Sequence, residues 1–453
     1  MMKKKKTEKM DLSDYTEVRA ASVIEPRMIA DGWRFDHEMG VWYQWDGLTG
    51  IWRPCKMAEG MDYVRTHISA MIVEEENVHK DASKLGRLNF IRAVETLLAA
   101  RPDIAAKRDV WDASTRHAAA PGGHVRLTAG LVGPPERDAM CTRMMGALPV
   151  NQPAPRWEQF IRETTGGDED FADYLQRVAG YCSTGLTTEQ AFFFVFGSGG
   201  NGKSVFLDTL RAVLGDYAIS VPAEMFEVSQ FDRHPEELAR LAGVRLVTAS
   251  ETRAGRGWNE VRIKQLTGDA AITARYMRQN TFEFTPRCKL IIAGNNKPTL
   301  RIVDDAIRRR MHVIPFTRKP LKPDPKLLSA LQSELGGIAW WVLQGVKRWK
   351  AEGLRKPSVV QTLTDAYLAD QDVIGAWLSE ETDALSTEFT PNAEIHESYS
   401  AFCRALDERP LTQRTLSEQL EARGYPKARR ADSRGHTGLR IRRSGSVSWG
   451  RQA

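Results

Sequence analysis

Little in this 453-residue chain points to a covalently stapled or metal-built fold. Its five cysteines, Cys55, Cys141, Cys182, Cys288 and Cys403, are far apart, odd in number and never in C-x-x-C spacing. That excludes a zinc ribbon and a disulfide framework, and it implies reduced thiols. The nine histidines do not cluster. No stretch approaches the roughly 18 apolar residues that a membrane-spanning helix needs. The opening Met1-Met-Lys-Lys-Lys-Lys6 is not followed by an apolar segment, so it does not read as a secretory signal. There is no internal repeat. A cytoplasmic protein with no membrane partner is expected. A hydrophobic content of 42% and a charged content of 27% suit a globular chain. At about 150 residues per domain, two to four domains are expected.

What the chain does have is glycine in one telling place. An apolar run, Phe192–Phe196, leads straight into Gly197-Ser198-Gly199-Gly200-Asn201-Gly202-Lys203-Ser204, followed by Val205. This is the G-x-x-x-x-G-K-[ST] phosphate-binding loop, placed between a strand and a helix as its mechanism requires. Glycines let the backbone curl so that successive N–H groups face phosphate oxygens. The following helix adds the positive end of its dipole. Lys203 is suited to the β and γ phosphates and Ser204 to Mg²⁺, so the expected cofactors are ATP and Mg²⁺. Val205, Leu207, Leu210, Val213 and Leu214 recur at helical spacing, and Gly215 is placed to end that helix.

Residues 1–20 form a basic, then polar, tail expected to be disordered. A domain over 21–150 opens with Trp33, Phe35, Trp42, Tyr43, Trp45 and Trp52, and Val41–Trp52 reads as a hairpin turning at Asp46–Gly50. These aromatics suit the core of a small module better than base stacking. Helical patterns cover roughly 61–100, and Pro153-Ala-Pro155 marks a boundary. Over 151–380, strands are expected at Val244–Ala249, Cys288–Gly294 and Met311–Phe316 with helices between, an α/β layered core. The segment 325–380 reads as helical with a break at Gly336-Gly337, and 382–391 as a linker. The last domain, 381–453, has helical patterns near 392–406 and 412–423 and then a basic hairpin-like end, which fits a winged helix. Residues 421–453 hold Arg423, Lys427, Arg429, Arg430, Arg434, Arg440, Arg442, Arg443 and Arg451 against Glu421 and Asp432. Such an end suits nucleic acid or a solvated tail.

A hydrolase also needs a carboxylate for the attacking water, a polar group near the γ-phosphate and a cation for the transition-state charge. In an α/β core these belong at the C-terminal ends of the strands. Glu251 follows one strand and suits the water, with a contribution to Mg²⁺. Asn295 follows the next. Arg308-Arg309-Arg310 precedes the fourth, either as a solvated face or as a finger supplied to a neighbouring subunit. Between them, Lys264 to Phe284 reads as two strand-like runs flanking a polar tip at Arg278 to Asn280, a hairpin segment whose cations, Lys264, Arg275 and Arg278, are placed to grip a DNA backbone; a plain exposed hairpin fits the spacing equally.

Together, the phosphate loop, Ala-Ser-Glu251, Lys264-Gln-Leu-Thr-Gly-Asp269, Ala-Gly-Asn295 and Arg310 running into Ile314-Pro-Phe316 resemble the superfamily 3 helicase core of the primase–helicase proteins of satellite phages, plasmids and poxviruses. Tyr43–Gly47, Pro121-Gly-Gly123 and Ala179–Cys182 resemble the domain preceding that core. The resemblance implies an AAA+-type P-loop ATPase core with an N-terminal α+β domain and a C-terminal winged-helix-like, DNA-binding domain. It implies a homohexameric ring that hydrolyses ATP to move 3′→5′ on single-stranded DNA and open forked duplex, in a bacterial host cell. Carried over, Lys203 and Ser204 hold phosphate and Mg²⁺, Glu251 is the catalytic carboxylate, Asn295 the sensor and Arg309 or Arg310 the finger. Arg278 to Asn280 would meet DNA in the channel, and Arg429 and Arg430 would meet it in the last domain. Ser250 stands where many P-loop ATPases place Asp. The paired carboxylates and histidine of a primase are not evident, so a separate primase or polymerase is the expected partner. The alternative is an initiator that uses ATP to assemble on DNA without separating strands.

Overall fold

A computed structural model describes residues 16–76, 84–228, 235–250, 256–268, 270–277, 281–320, 322–431 and 433–442. Its centre is a five-stranded sheet: β1 (Phe192–Phe196), β2 (Ala218–Pro222), β3 (Leu246–Ser250), β4 (Lys289–Gly294) and β5 (Met311–Pro315). The order is β5-β1-β4-β3-β2 and every neighbouring pair is parallel. Parallel strands need both faces covered, which is why β1 and β4 read as unbroken apolar runs. One face is covered by α1 (Pro155–Thr165), α2 (Glu169–Ser183), α3 (Lys203–Leu214) and α6 (Leu335–Glu352). The other is covered by α4 (Glu260–Thr267), α5 (Asp305–Arg310) and α7 (Ser358–Asp370).

Two glycines hold α2 against α6. A Cβ on Gly180 would sit 2.2 Å from the Gly345 carbonyl carbon, and one on Gly345 would sit 2.1 Å from the Gln176 carbonyl oxygen. Those neighbours are backbone, which cannot swing away. Gly345→Ala is therefore expected to destabilise the chain by about 1–3 kcal/mol, measured by urea unfolding; an unchanged midpoint would mean that the helices separate at no cost.

The N-terminal unit is α+β. Strands Trp33–Asp36, Val41–Asp46 and Ile51–Cys55 and the short Ala105–Ala106 form one sheet. Helices Glu17–Ala30, Met57–Glu76 and Leu88–Ala99 pack on it. The expected hairpin is present, with Trp45 opposite Trp52. Trp33, Trp42 and Trp52 are buried, so these aromatics build core. A smaller sheet, His117–Ala120, Gly123–Arg126 and Leu131–Gly133, shares its core with α1, α2 and α3.

Three histidines sit neutral inside this framework. His124 accepts from His117 at 2.9 Å and donates to the Gly50 carbonyl at 2.6 Å. Burial holds both below the usual imidazole range; for His117 the neighbouring His124, Arg126 and Arg245 reinforce this and Glu136 opposes it. His312, hydrogen-bonded to the Tyr174 hydroxyl at 2.6 Å, is pushed further down by burial, with Lys356 adding to it. The unfolded chain thus binds more protons than the folded one once the pH drops below about 6.5. The stability is fully present above that pH and is lost as the pH falls toward the depressed folded values. The melting temperature should decline between about pH 7 and pH 5, less steeply in His117→Gln. A flat profile would contradict the buried neutral pair.

Two expectations need correction. Residues 382–391 are not a linker. Thr382–Pro391 is a strand pairing antiparallel with Ser433–Ile441, its register shifted between Leu385 and Phe389. That irregularity breaks the period of two that marks a strand in sequence. Nor does the helix break at Gly336-Gly337. The break is at Glu334, and both glycines lie in the first turn of α6, where a Cβ on Gly337 would press on the Gln152 and Pro153 carbonyls. The glycines serve close approach rather than termination. β2, a short edge strand with mixed exposure, was not expected at all.

The C-terminal unit runs helix Val373–Glu381, strand Thr382–Pro391, helices Asn392–Ala405 and Gln413–Ala422, and strands Lys427–Arg430 and Ser433–Ile441. Its core is Ile374, Trp377, Ile395, Tyr399, Cys403, Leu411, Leu416, Leu420 and Leu439. Among the described residues, no helix is long and apolar enough to cross a membrane.

Candidate functional site

β1 lies between β5 and β4, and the chain leaves it for β2 on one side and reaches β5 on the other. This is the switch point where open α/β sheets bind ligands, beyond the strand C-termini. Residues 197–202 occupy that point. Gly200 and Gly202 have φ of +77° and +83°, which side-chain-bearing residues rarely adopt. A Cβ on Gly197 would strike the Phe316 carbonyl at 1.9 Å, and one on Gly202 would strike the Phe160 ring at 2.8 Å. The loop is thus clamped between β5's exit and α1. Ser198, Gly199 and Gly200 face solvent, as does Ser204 in the first turn of α3, while Val205 is half-buried. α3 is twelve residues long, and it is backed by Trp157 stacked on Phe206 at 5.9 Å.

Lys203 is only 8% exposed. Its ammonium donates to the Gly197 carbonyl at 2.7 Å, the Ser198 carbonyl at 3.0 Å and Asn201 Oδ1 at 2.9 Å. Burial holds its amine below the usual lysine range. Asn201, itself buried, donates through Nδ2 to the Phe316 carbonyl, so one side chain ties the lysine to the end of β5. A buried lysine at a helix N-terminus, ringed by curled backbone, fits a phosphate chain. No cluster of three or more His, Cys, Asp or Glu suited to a metal occurs among the described residues. Ser204, exposed in the first turn of α3, is a described residue that could ligate a divalent cation here.

The other expected residues are distributed as follows. β4 ends at Gly294, whose carbonyl accepts from the Gly197 amide at 3.3 Å, so the exposed Asn295 lies beside the loop. Ser250 ends β3; Glu251 lies outside the described residues, as does Arg278. The hairpin is present, Ile272–Arg275 against Thr281–Phe284, with Arg275 exposed. Arg108 braces it, 3.5 Å over the Phe282 ring. Lys264 forms an ion pair with Asp304, the N-cap of α5, so its charge is committed within the chain. Burial raises Asp304, but the Lys264 hydrogen bond and the helix N–H of Ile307 hold it below the usual carboxylate range.

Arg309 and Arg310 lie at the opposite end of the sheet from the glycine loop, roughly 15 Å away along β5 at about 3.3 Å per residue. Arg310 is buried and donates to Gln190 Oε1 at 2.9 Å and to the Ala306 carbonyl at 3.0 Å. Arg309 is exposed and reaches Gln190 at 3.2 Å. Neither can reach the loop of its own chain. Lys297, which sequence reasoning missed, stacks its ammonium 5.2 Å from the Phe196 ring, at the sheet end that holds the loop. The available signal was a cation two residues beyond a strand-end asparagine.

The model of a family described as "D5 N terminal like" matches residues 21–166, and that of a family of unknown function (DUF5906) matches 195–310. "Putative helicase L207/L206" of Acanthamoeba polyphaga mimivirus is 28% identical over 236 residues, 47% of this chain and 25% of the relative. "Putative helicase 022R" of Frog virus 3 (isolate Goorha) is 24% identical over 237 residues, 47% of this chain and 24% of the relative. The aligned region thus spans about a quarter of the length of these relatives. Among solved structures, two of the NrS-1 C terminal region align at 12% identity with TM-scores of 0.46 and 0.45, covering 92% and 93% of this chain and 98% and 99% of theirs. The sequence matches are thus to a D5 N terminal like family model over the first third of the chain and, over about half of the chain, to viral proteins named as helicases.

Proposed function

We propose that this chain is an ATP-driven DNA helicase of phage- or plasmid-type replication, with an AAA+-type P-loop core and a winged-helix-like C-terminal domain. The observation that carries the reading is the Phe192–Leu214 strand, loop and helix at the switch point of a parallel sheet, with Lys203 held inside the loop. Helicase-named relatives support the same direction. ATP would lie along residues 197–205, with Mg²⁺ on Ser204 and Glu251 orienting the attacking water. Asn295 would report the γ-phosphate. Bound Mg²⁺ would supply charge neutralisation at the phosphates.

Because Arg309 faces solvent at the far end of the sheet, it would act on the nucleotide of a neighbouring subunit. That calls for a neighbouring subunit, and the assembly proposed is a homohexameric ring. Arg275 and the adjoining residues 278–280 would line the channel for single-stranded DNA. The helix–strand–helix–helix–hairpin order of the last unit supports the winged-helix reading. ATP turnover measured with and without single-stranded DNA tests the reading. Stimulation that weakens steeply with salt is expected. Turnover indifferent to single strands, with duplex bound tightly, would favour the initiator alternative.

A further inference from the structure

Half of the described cations of the C-terminal unit are paired with acids. Lys427 pairs with Glu421, Arg440 and Arg442 with Asp383, Arg414 with Glu418, and Arg423 with Asp372. Apart from Arg404 and Arg409, which are exposed elsewhere in the unit, what is left lies at one hairpin end. Arg429 stands directly opposite Arg434 across the two strands, and both are exposed. Like charges in that position destabilise a sheet. Arg430 rests its guanidinium 5.2 Å from the Phe389 ring, which holds the side chain without neutralising it. Among the described residues, Arg429, Arg430 and Arg434 have no acidic partner; Asp432 lies outside them.

Edge strands often carry cations to prevent pairing with other chains. That explains Arg429, which is on the edge strand, but not Arg434, which is on the central one. The hairpin is also firmly placed. His436 is fully buried, bonded through Nδ1 to the Tyr425 carbonyl at 2.8 Å and through Nε2 to the Ser417 hydroxyl at 2.7 Å. The helix it is pinned to, Gln413–Ala422, carries Arg414 against Glu418 and Glu421 and so offers phosphates no net attraction.

We propose that the hairpin end Arg429–Arg434 is a clamp for the phosphate backbone of DNA, so that the C-terminal unit binds through this wing rather than by base reading from helix Gln413–Ala422. The proposal rests on the reading that the chain acts on DNA, and it specifies how. A rigid pair of facing guanidiniums is suited to two phosphates, and binding to the DNA backbone carries no sequence information.

The test is fluorescence anisotropy of the full chain on a labelled forked duplex across salt, repeated with a scrambled duplex. Arg429→Ala/Arg434→Ala should make the slope of log affinity against log salt shallower by about 2, at about 0.9 for each phosphate no longer neutralised. The scrambled duplex should bind as well as the original. Arg429→Lys/Arg434→Lys should restore most of the affinity, because a phosphate needs only the charge. The melting temperature of the alanine double variant should be unchanged or higher, since a repulsive pair is gone; this distinguishes weaker phosphate binding from a damaged fold. Equal binding by the wild type and the double variant overturns the clamp alone. A strong preference between the duplexes that disappears in Gln413→Ala/Arg414→Ala also overturns it, in favour of helix readout. A wild-type chain that binds no DNA overturns the proposed function and the clamp with it.

Discussion

Lys203→Ala should lose ATP turnover by about two to three orders of magnitude, the cost of removing a preorganised charge aimed at developing phosphate charge. The loop explains why a single side chain carries so much. Its ammonium is held by two carbonyls of the loop and by Asn201. Residues 197–202 include no other cation, so nothing within the loop substitutes for it. The fold should survive, since α3 remains anchored by Phe206, Leu207, Leu210, Val213 and Leu214. Turnover at the wild-type rate in a purified, folded variant would remove the ATPase reading. Loss of activity together with loss of cooperative melting would show instead that the loop collapsed.

Arg309→Ala should keep ATP binding and lose about 10³–10⁵ in turnover, the range for an arginine finger. Geometry separates this residue from its neighbour. Arg310 is packed against Gln190 and the Ala306 carbonyl, so Arg310→Ala should chiefly lower the melting temperature, by leaving the half-buried Gln190 Oε1 short of a donor. Arg309 is exposed and can be presented to another subunit. Mixing Lys203→Ala with Arg309→Ala should restore part of the activity, because some interfaces would join an intact loop to an intact finger. Mixtures no more active than either variant alone would remove the finger in trans.

The sequence displayed the loop because three local signals coincide: Phe192–Phe196 is apolar on both faces, glycines sit where φ turns positive, and α3 has helical periodicity. The two C-terminal helices were legible for the same reason. Non-local features were not. Thr382–Pro391 is a strand only because Ser433–Ile441, about fifty residues later, returns beside it. Gly336 and Gly337 look like breakers until the carbonyls of 152 and 153 are brought against α6. The charge of Lys264 is taken up by Asp304, forty residues on, and no spacing rule reveals that. Burial ranks Arg309 against Arg310, and three arginines in a row have no pattern that does so. The tie from Asn201 to Phe316 likewise depends on β5 lying next to β1.

The most direct test of the motor is strand displacement on a forked duplex with ATP and Mg²⁺, with Lys203→Ala alongside. The account predicts that the wild type releases the displaced strand and the variant does not. If the wild type hydrolyses ATP on the same fork and releases no strand, the helicase claim is contradicted.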